Sequence, residues 1–167
     1  MATTEIPRGS RARLGRVEGD LRAGPRVVLA AENGWTIEVA GTAGFRGDAG
    51  IDATLHAGAI DVRDGRLTVR GDLAVRGEVR ARDASVEVGG ALTATHVGVD
   101  GAVEIGAGHV RGSLEAGGKL RSSGSLEFGS LEVGGSVRLG AGSKGGRIEA
   151  GGRFRADGDL TFTDLEV

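Results

Sequence analysis

The chain of 167 residues has no cysteine and no tyrosine, only two prolines, and 3% aromatic residues. Without cysteine there is no disulfide framework and no thiolate-bound zinc or iron–sulfur centre. With so little proline and no Gly-X-Y register, its 33 glycines do not make a collagen. No apolar run approaches the ~18 residues of a membrane-spanning helix. The start, Met1-Ala2-Thr3-Thr4-Glu5-Ile6, lacks the apolar core of an export signal, so the expectation is a cytoplasmic protein. A net charge of -2 argues against a nucleic-acid binder, whose affinity rests on neutralising phosphates. Disorder is opposed by 39% hydrophobic residues, mostly small and aliphatic.

What is present is a repeat. Apolar residues come as pairs separated by one outward residue, the period of a strand with one buried face. From Val86 onward the pairs advance in steps of six, five and six, so three steps make 17 residues. Stacking at that period gives three columns. The first holds Val86, Val103, Leu120, Val137 and Phe154; the second Leu92, His109, Leu126, Ser143 and Leu160; the third Val97, Leu114, Leu131, Ile148 and Leu165. Each member has a partner two residues on, as in Val88, Ile105, Ser122, Leu139 and Ala156. Nearly all these places are apolar, and the places between the paired members are almost all polar or glycine. Only Val110 breaks that alternation, and a one-residue shift would turn it inward in place of His109.

Glycines keep the same period: Gly117-Gly118, Gly134-Gly135 and Gly151-Gly152, and again Gly112, Gly129 and Gly146. They fall between pairs, where a corner needs positive φ or close backbone stacking. Short strands and glycine corners, three per period, predict an all-β, single-stranded, three-sided parallel β-helix. Each coil lies ~4.8 Å from the last. The bias toward right-handed connections between parallel strands favours that hand. Regular coils are expected over 67–167 and irregular ones over 14–66, about nine in all, in a rod of roughly 43 Å. Residues 1–13 show no pattern and read as a flexible tail, slightly basic through Arg8, Arg11 and Arg13 beside Arg16. Such a tail offers a weak attraction to anionic lipid.

No catalytic, cofactor or metal constellation stands out. His56, His96 and His109 share no ligand spacing, no serine sits in a nucleophile elbow, and no phosphate loop occurs. The expectation is therefore no enzyme, no cofactor, no metal and no small-molecule substrate. The outward charges are ordered instead. Glu115, Glu132, Glu149 and Glu166 share one outward column, and Arg121, Arg138 and Arg155 share another beneath Glu87 and Glu104. These are solvated faces, or opposite stripes through which rods associate side by side.

The strings Gly71-Asp72-Leu73-Ala74-Val75, Val75-Arg76-Gly77-Glu78-Val79-Arg80-Ala81 and Gly112-Ser113-Leu114-Glu115-Ala116-Gly117-Gly118 resemble the core domain of the bactofilins. The resemblance spans roughly residues 71–167. It implies a right-handed three-sided β-helix between flexible tails, and a cytoskeletal protein that polymerises end to end without nucleotide, often at the membrane. Unlike that family, the chain carries no proline-rich C-terminal stretch.

The expected partner is then the chain itself. The last inward residues, Phe154, Leu160, Phe162, Leu165 and Val167, are the expected polymerisation interface, because no later residues lie in the sequence to cover them. A β-helical interaction module resembling the C-terminal part of the division inhibitor MinC, which also uses Gly-Asp-Leu strings, is the alternative. A hexapeptide acyltransferase fits poorly, because it needs a strict six-residue step and a loop histidine.

Overall fold

The computed structural model describes residues 3–167. They form one 21-stranded parallel sheet wound into a β-solenoid of roughly 10 turns, with no helix. Every strand pairs with the strands one coil before and one coil after it. In the regular region the partners are 17 residues apart: Val103 lies over Val86, Leu120 over Val103, Val137 over Leu120 and Phe154 over Val137. Alternation along each strand sends these residues into a narrow core. That core runs unbroken from Ile6 to Ala150.

The columns extend upstream. The first continues through Leu67 and Ala49 to Val27. The second runs through Leu73 and Leu55 to Ile37, and the third through Val79, Ile60 and Ala43 to Leu21. Three outward faces result, and they are called here the first, second and third after their columns.

Three sequence expectations change in detail. The tail expected over 1–13 is, from Thr3 on, part of the stack. Thr3–Ile6 pairs with Asp20–Ala23, and Arg11–Leu14 pairs with Val27–Ala31. Ile6 and Val17 are buried there. The sequence hid this coil because the next one carries an excursion at Glu32–Trp35, which stretches the pairing distance to 22 residues, as from Val27 to Ala49. Ala43 and Phe45, within the glycine-rich stretch, prove to be fully buried core.

The second change concerns His109. Gly108 pairs with Leu92 and Leu126, Val110 turns inward at 1% exposure, and His109 faces out. The coil is one residue short before Gly108 and regains it between Val110 and Ser113. Exchanging a corner residue between two corners costs less than burying an imidazole without a partner.

Third, the polar members of the inward columns are satisfied. Ser122 Oγ donates to the Gly124 carbonyl at 2.6 Å. Ser143 Oγ donates to the Gly140 carbonyl at 2.8 Å and accepts from the Leu126 N–H at 3.0 Å. Each hydroxyl makes a corner bond that a methyl group could not.

Even the corners are hydrogen-bonded from coil to coil. Gly118 N donates to Gly101 O, Gly135 N to Gly118 O and Gly152 N to Gly135 O, at 3.0, 2.8 and 2.9 Å. The stacked corner glycines have negative φ, so close stacking rather than left-handed geometry selects them. A Cβ on Gly134 would stand 2.5 Å from the Gly117 carbonyl oxygen of the coil below.

Candidate functional site

The rod has two ends and three faces, and the surfaces of interest follow from which residues the stacking leaves uncovered. At the C-terminal end the inward residues of the final coil have no coil laid over them. Phe154 and Leu160 are half-buried, while Phe162, Leu165 and Val167 are 42%, 37% and 67% exposed. One coil earlier the same columns hold Val137, Leu139 and Ile148, all buried. Of the four large hydrophobic residues exposed among those described, three lie in this coil and the fourth is Trp35. Phe162 lies one coil beyond Gly145, which itself lies over Phe128. A side chain on Gly145 would run into the Phe128 ring, so glycine lets the big ring below fit. The opposite end is different in kind. Its inward places carry Thr4, Ile6, Ala12, Gly15 and Val17, small or polar apart from Ile6.

The charged columns lie as their spacing implies. Glu132 pairs over Glu115, Glu149 over Glu132 and Glu166 over Glu149 on the third face. Arg121, Arg138 and Arg155 follow Glu87 and Glu104 on the first face. Each ladder is partly neutralised within the chain. Arg147 pairs with Glu149 and reaches Glu166 at 3.7 Å. Arg138 and Arg155 both bind Asp157, at 2.8 and 3.3 Å. Glu115, Glu132 and Arg121 make no ion pair among the described residues.

The hydrogen bond from Arg138, with the charges of Arg138 and Arg155, holds the Asp157 carboxyl below the usual aspartate value, against the opposing effect of burial. A depressed folded-state value means the contribution is complete above the unfolded value of about 3.9 and fades as pH falls through the folded one. Asp157→Asn is therefore expected to melt lower than wild type at pH 7. The two melting curves should converge as the solution is acidified below the ordinary aspartate range. Thermal melts of both proteins from pH 7 downward check this; a gap that widened on acidification would refute it.

Sequence reasoning missed the upstream half of the third face. There Arg46, Arg63 and Arg82 occupy one register position on three successive coils, beside outward Arg22, Asp61 and Arg80. The changing coil length kept them from lining up in the sequence. The three histidines are exposed and apart in the sequence order of coils; His109 Nδ1 lies 2.8 Å from Glu127 Oε2 on the next coil. Among the described residues no three His, Asp or Glu side chains converge as a metal site, and no helix is long and apolar enough to cross a membrane. Arg8, Arg11 and Arg13 are exposed on the first coil, and Arg16 pairs with Glu18 at 3.1 Å.

Comparison with protein-family models, with curated proteins and with solved structures finds no match in any of the three. The function has to be read from these surfaces.

Proposed function

We propose that the chain is a structural, cytoskeleton-like subunit of the cytoplasm that assembles end to end into filaments without nucleotide, as its resemblance to bactofilins implies. The observation that supports this is the apolar final coil, where Phe162, Leu165 and Val167 stand exposed over open strand edges. A solenoid end offers both unpaired amides and core side chains, and a second solenoid end satisfies both at once. Two like ends meeting form a two-fold junction. Burying each phenylalanine is worth roughly 1.5–3 kcal/mol. The N-terminal coil, with its smaller inward residues, makes the weaker joint. Assembly then runs in two stages, pairs through the C-terminal coils first and longer polymers at higher concentration. Arg8, Arg11 and Arg13 at the weaker end add a modest attraction to anionic lipid.

Negative-stain microscopy and light scattering of wild type beside Phe162→Arg test this, in buffer with a chelator and no nucleotide. Wild type should form filaments. Phe162→Arg places two cations against each other at the junction, so it should remain folded by circular dichroism yet reach no more than a pair through its other end. Dispersed wild-type monomers, as an interaction module of the MinC type would give, or unchanged filaments from the variant, would falsify the reading.

A further inference from the structure

The third face changes sign along the rod. Upstream of Gly98 its outward and neighbouring corner positions carry Arg22, Arg46, Arg63, Arg80 and Arg82, all exposed. Downstream they carry Glu115, Glu132, Glu149 and Glu166. Gly98 sits at the change, paired with Arg80 on one side and Glu115 on the other. It leaves a groove lined by Arg80, Arg82, Glu115 and Glu132, and a Cβ there would touch nothing within 4 Å.

We infer that two copies of this chain pair side by side and antiparallel through this face, with the two-fold axis crossing at Gly98. The inference goes beyond end-to-end assembly and does not depend on it. A two-fold axis along the strand direction reverses the rods and sets coils equally far from Gly98 opposite each other. Arg80 then meets the second copy's Glu115, and Arg22 meets its Glu166. The corner column is complementary in size as well as charge. Arg82, Arg63 and Arg46 come opposite Gly117, Gly134 and Gly151 of the other copy, which have no side chains to obstruct them. From there the guanidinium groups reach the neighbouring glutamates.

The free charges on each half suit such a partner. Arg22, Arg46 and Arg82 upstream, and Glu115 and Glu132 downstream, make no ion pair within the chain among the described residues. One like-charged meeting arises, Asp61 with Glu132; Asp61 is already bound to Arg63 at 3.5 Å, and that arginine lies between them. Two further acids border the face upstream. Glu78 is held by Arg80 at 2.7 Å, and Asp20 accepts from the Thr42 N–H at 2.9 Å. A parallel, in-register pair would set Glu115 against Glu115 and Glu132 against Glu132, which like-charge repulsion opposes. The face measures roughly 43 Å by about 16 Å, roughly 700 Å² a side, close to the about 800 Å² per partner of a standard specific interface.

The absence of cysteine makes the test clean, since each introduced thiol is the only one. Three full-length variants, Gly98→Cys, Arg80→Cys and Glu115→Cys, are treated with a short bis-maleimide, and covalent dimers are read on a denaturing gel, where end-to-end polymers fall apart. Gly98→Cys should cross-link to itself. Arg80→Cys and Glu115→Cys should cross-link when mixed and hardly at all alone. All products should be lost in 1 M salt, where screening shortens to about 3 Å. A Glu115→Cys protein that cross-links to itself as well as the mixture does, a mixture that gives no dimer, or products indifferent to salt would each overturn the pairing. Exchanging the charges, with Arg80→Glu and Glu115→Arg in one chain, should restore the Gly98→Cys product that either exchange alone removes.

Discussion

Leu131→Asp is expected to break the rod in the middle. Leu131 is 1% exposed, held between Leu114 and Ile148 of the flanking coils. Truncating a buried leucine to alanine alone costs about 2–5 kcal/mol. The carboxylate adds the cost of an unpaired charge in a core with no polar group to receive it. Because each coil contacts mainly its neighbours, the damage should be local. Coils upstream of Val97 should keep their structure while those from Leu114 onward loosen. The expected melt has two transitions where wild type has one, with the first well below the wild-type midpoint. Circular dichroism shows the loss, and amide exchange locates it. An unchanged spectrum and melting point would mean that Leu131 does not point into the core.

Gly134→Ala is expected to cost about 1–3 kcal/mol, a large effect for a single methyl group at the surface. The added carbon meets a backbone carbonyl, not the movable end of a side chain, so relief requires the corner to lift off the coil below. Lifting it strains the bonds from Gly134 N to Ala116 O at 2.9 Å and from Gly135 N to Gly118 O at 2.8 Å. Gly50→Ala is the matched control. Gly50 lies on the first face with nothing within 4 Å of an added Cβ, and its φ is not positive. There alanine should be neutral or stabilising by roughly 0.4–1 kcal/mol, through the reduced freedom of the unfolded chain. Denaturant melts of both variants check the pair. Equal effects at the two glycines would mean that coil-to-coil crowding does not select glycine at the corners.

The fold was legible wherever corner lengths repeat. Val86 to Phe154 line up at one spacing, so a column shows in the sequence before any coordinates exist. The Glu32–Trp35 excursion ended that legibility upstream. Once one corner lengthens, Ala43 and Phe45 no longer share a visible register with Leu21 and Ile60, and the first coil looks like a tail. Lengthening downstream is finer: the two extra residues between Leu67 and Val86 are split, one at Arg76–Glu78 and one before Val86.

The surfaces followed the same rule. The glutamate ladder from Glu115 was readable, and so was the arginine ladder from Arg121. Arg46, Arg63 and Arg82 were not, because their separations differ from coil to coil. Exposure at Phe162 and Leu165 is a property of stacking, which alternation alone does not contain.

The Glu32–Trp35 excursion also decides what light can report about this molecule. Trp35 is its only tryptophan, there is no tyrosine, and the indole is 55% exposed. Emission from a ring already in water changes little when the chain unfolds, so intrinsic fluorescence is nearly blind to the collapse of the core. The same isolation makes Trp35 a clean sensor of its own neighbourhood. A blue shift on assembly would report something settling against the second coil, with no background from any other fluorophore of its kind.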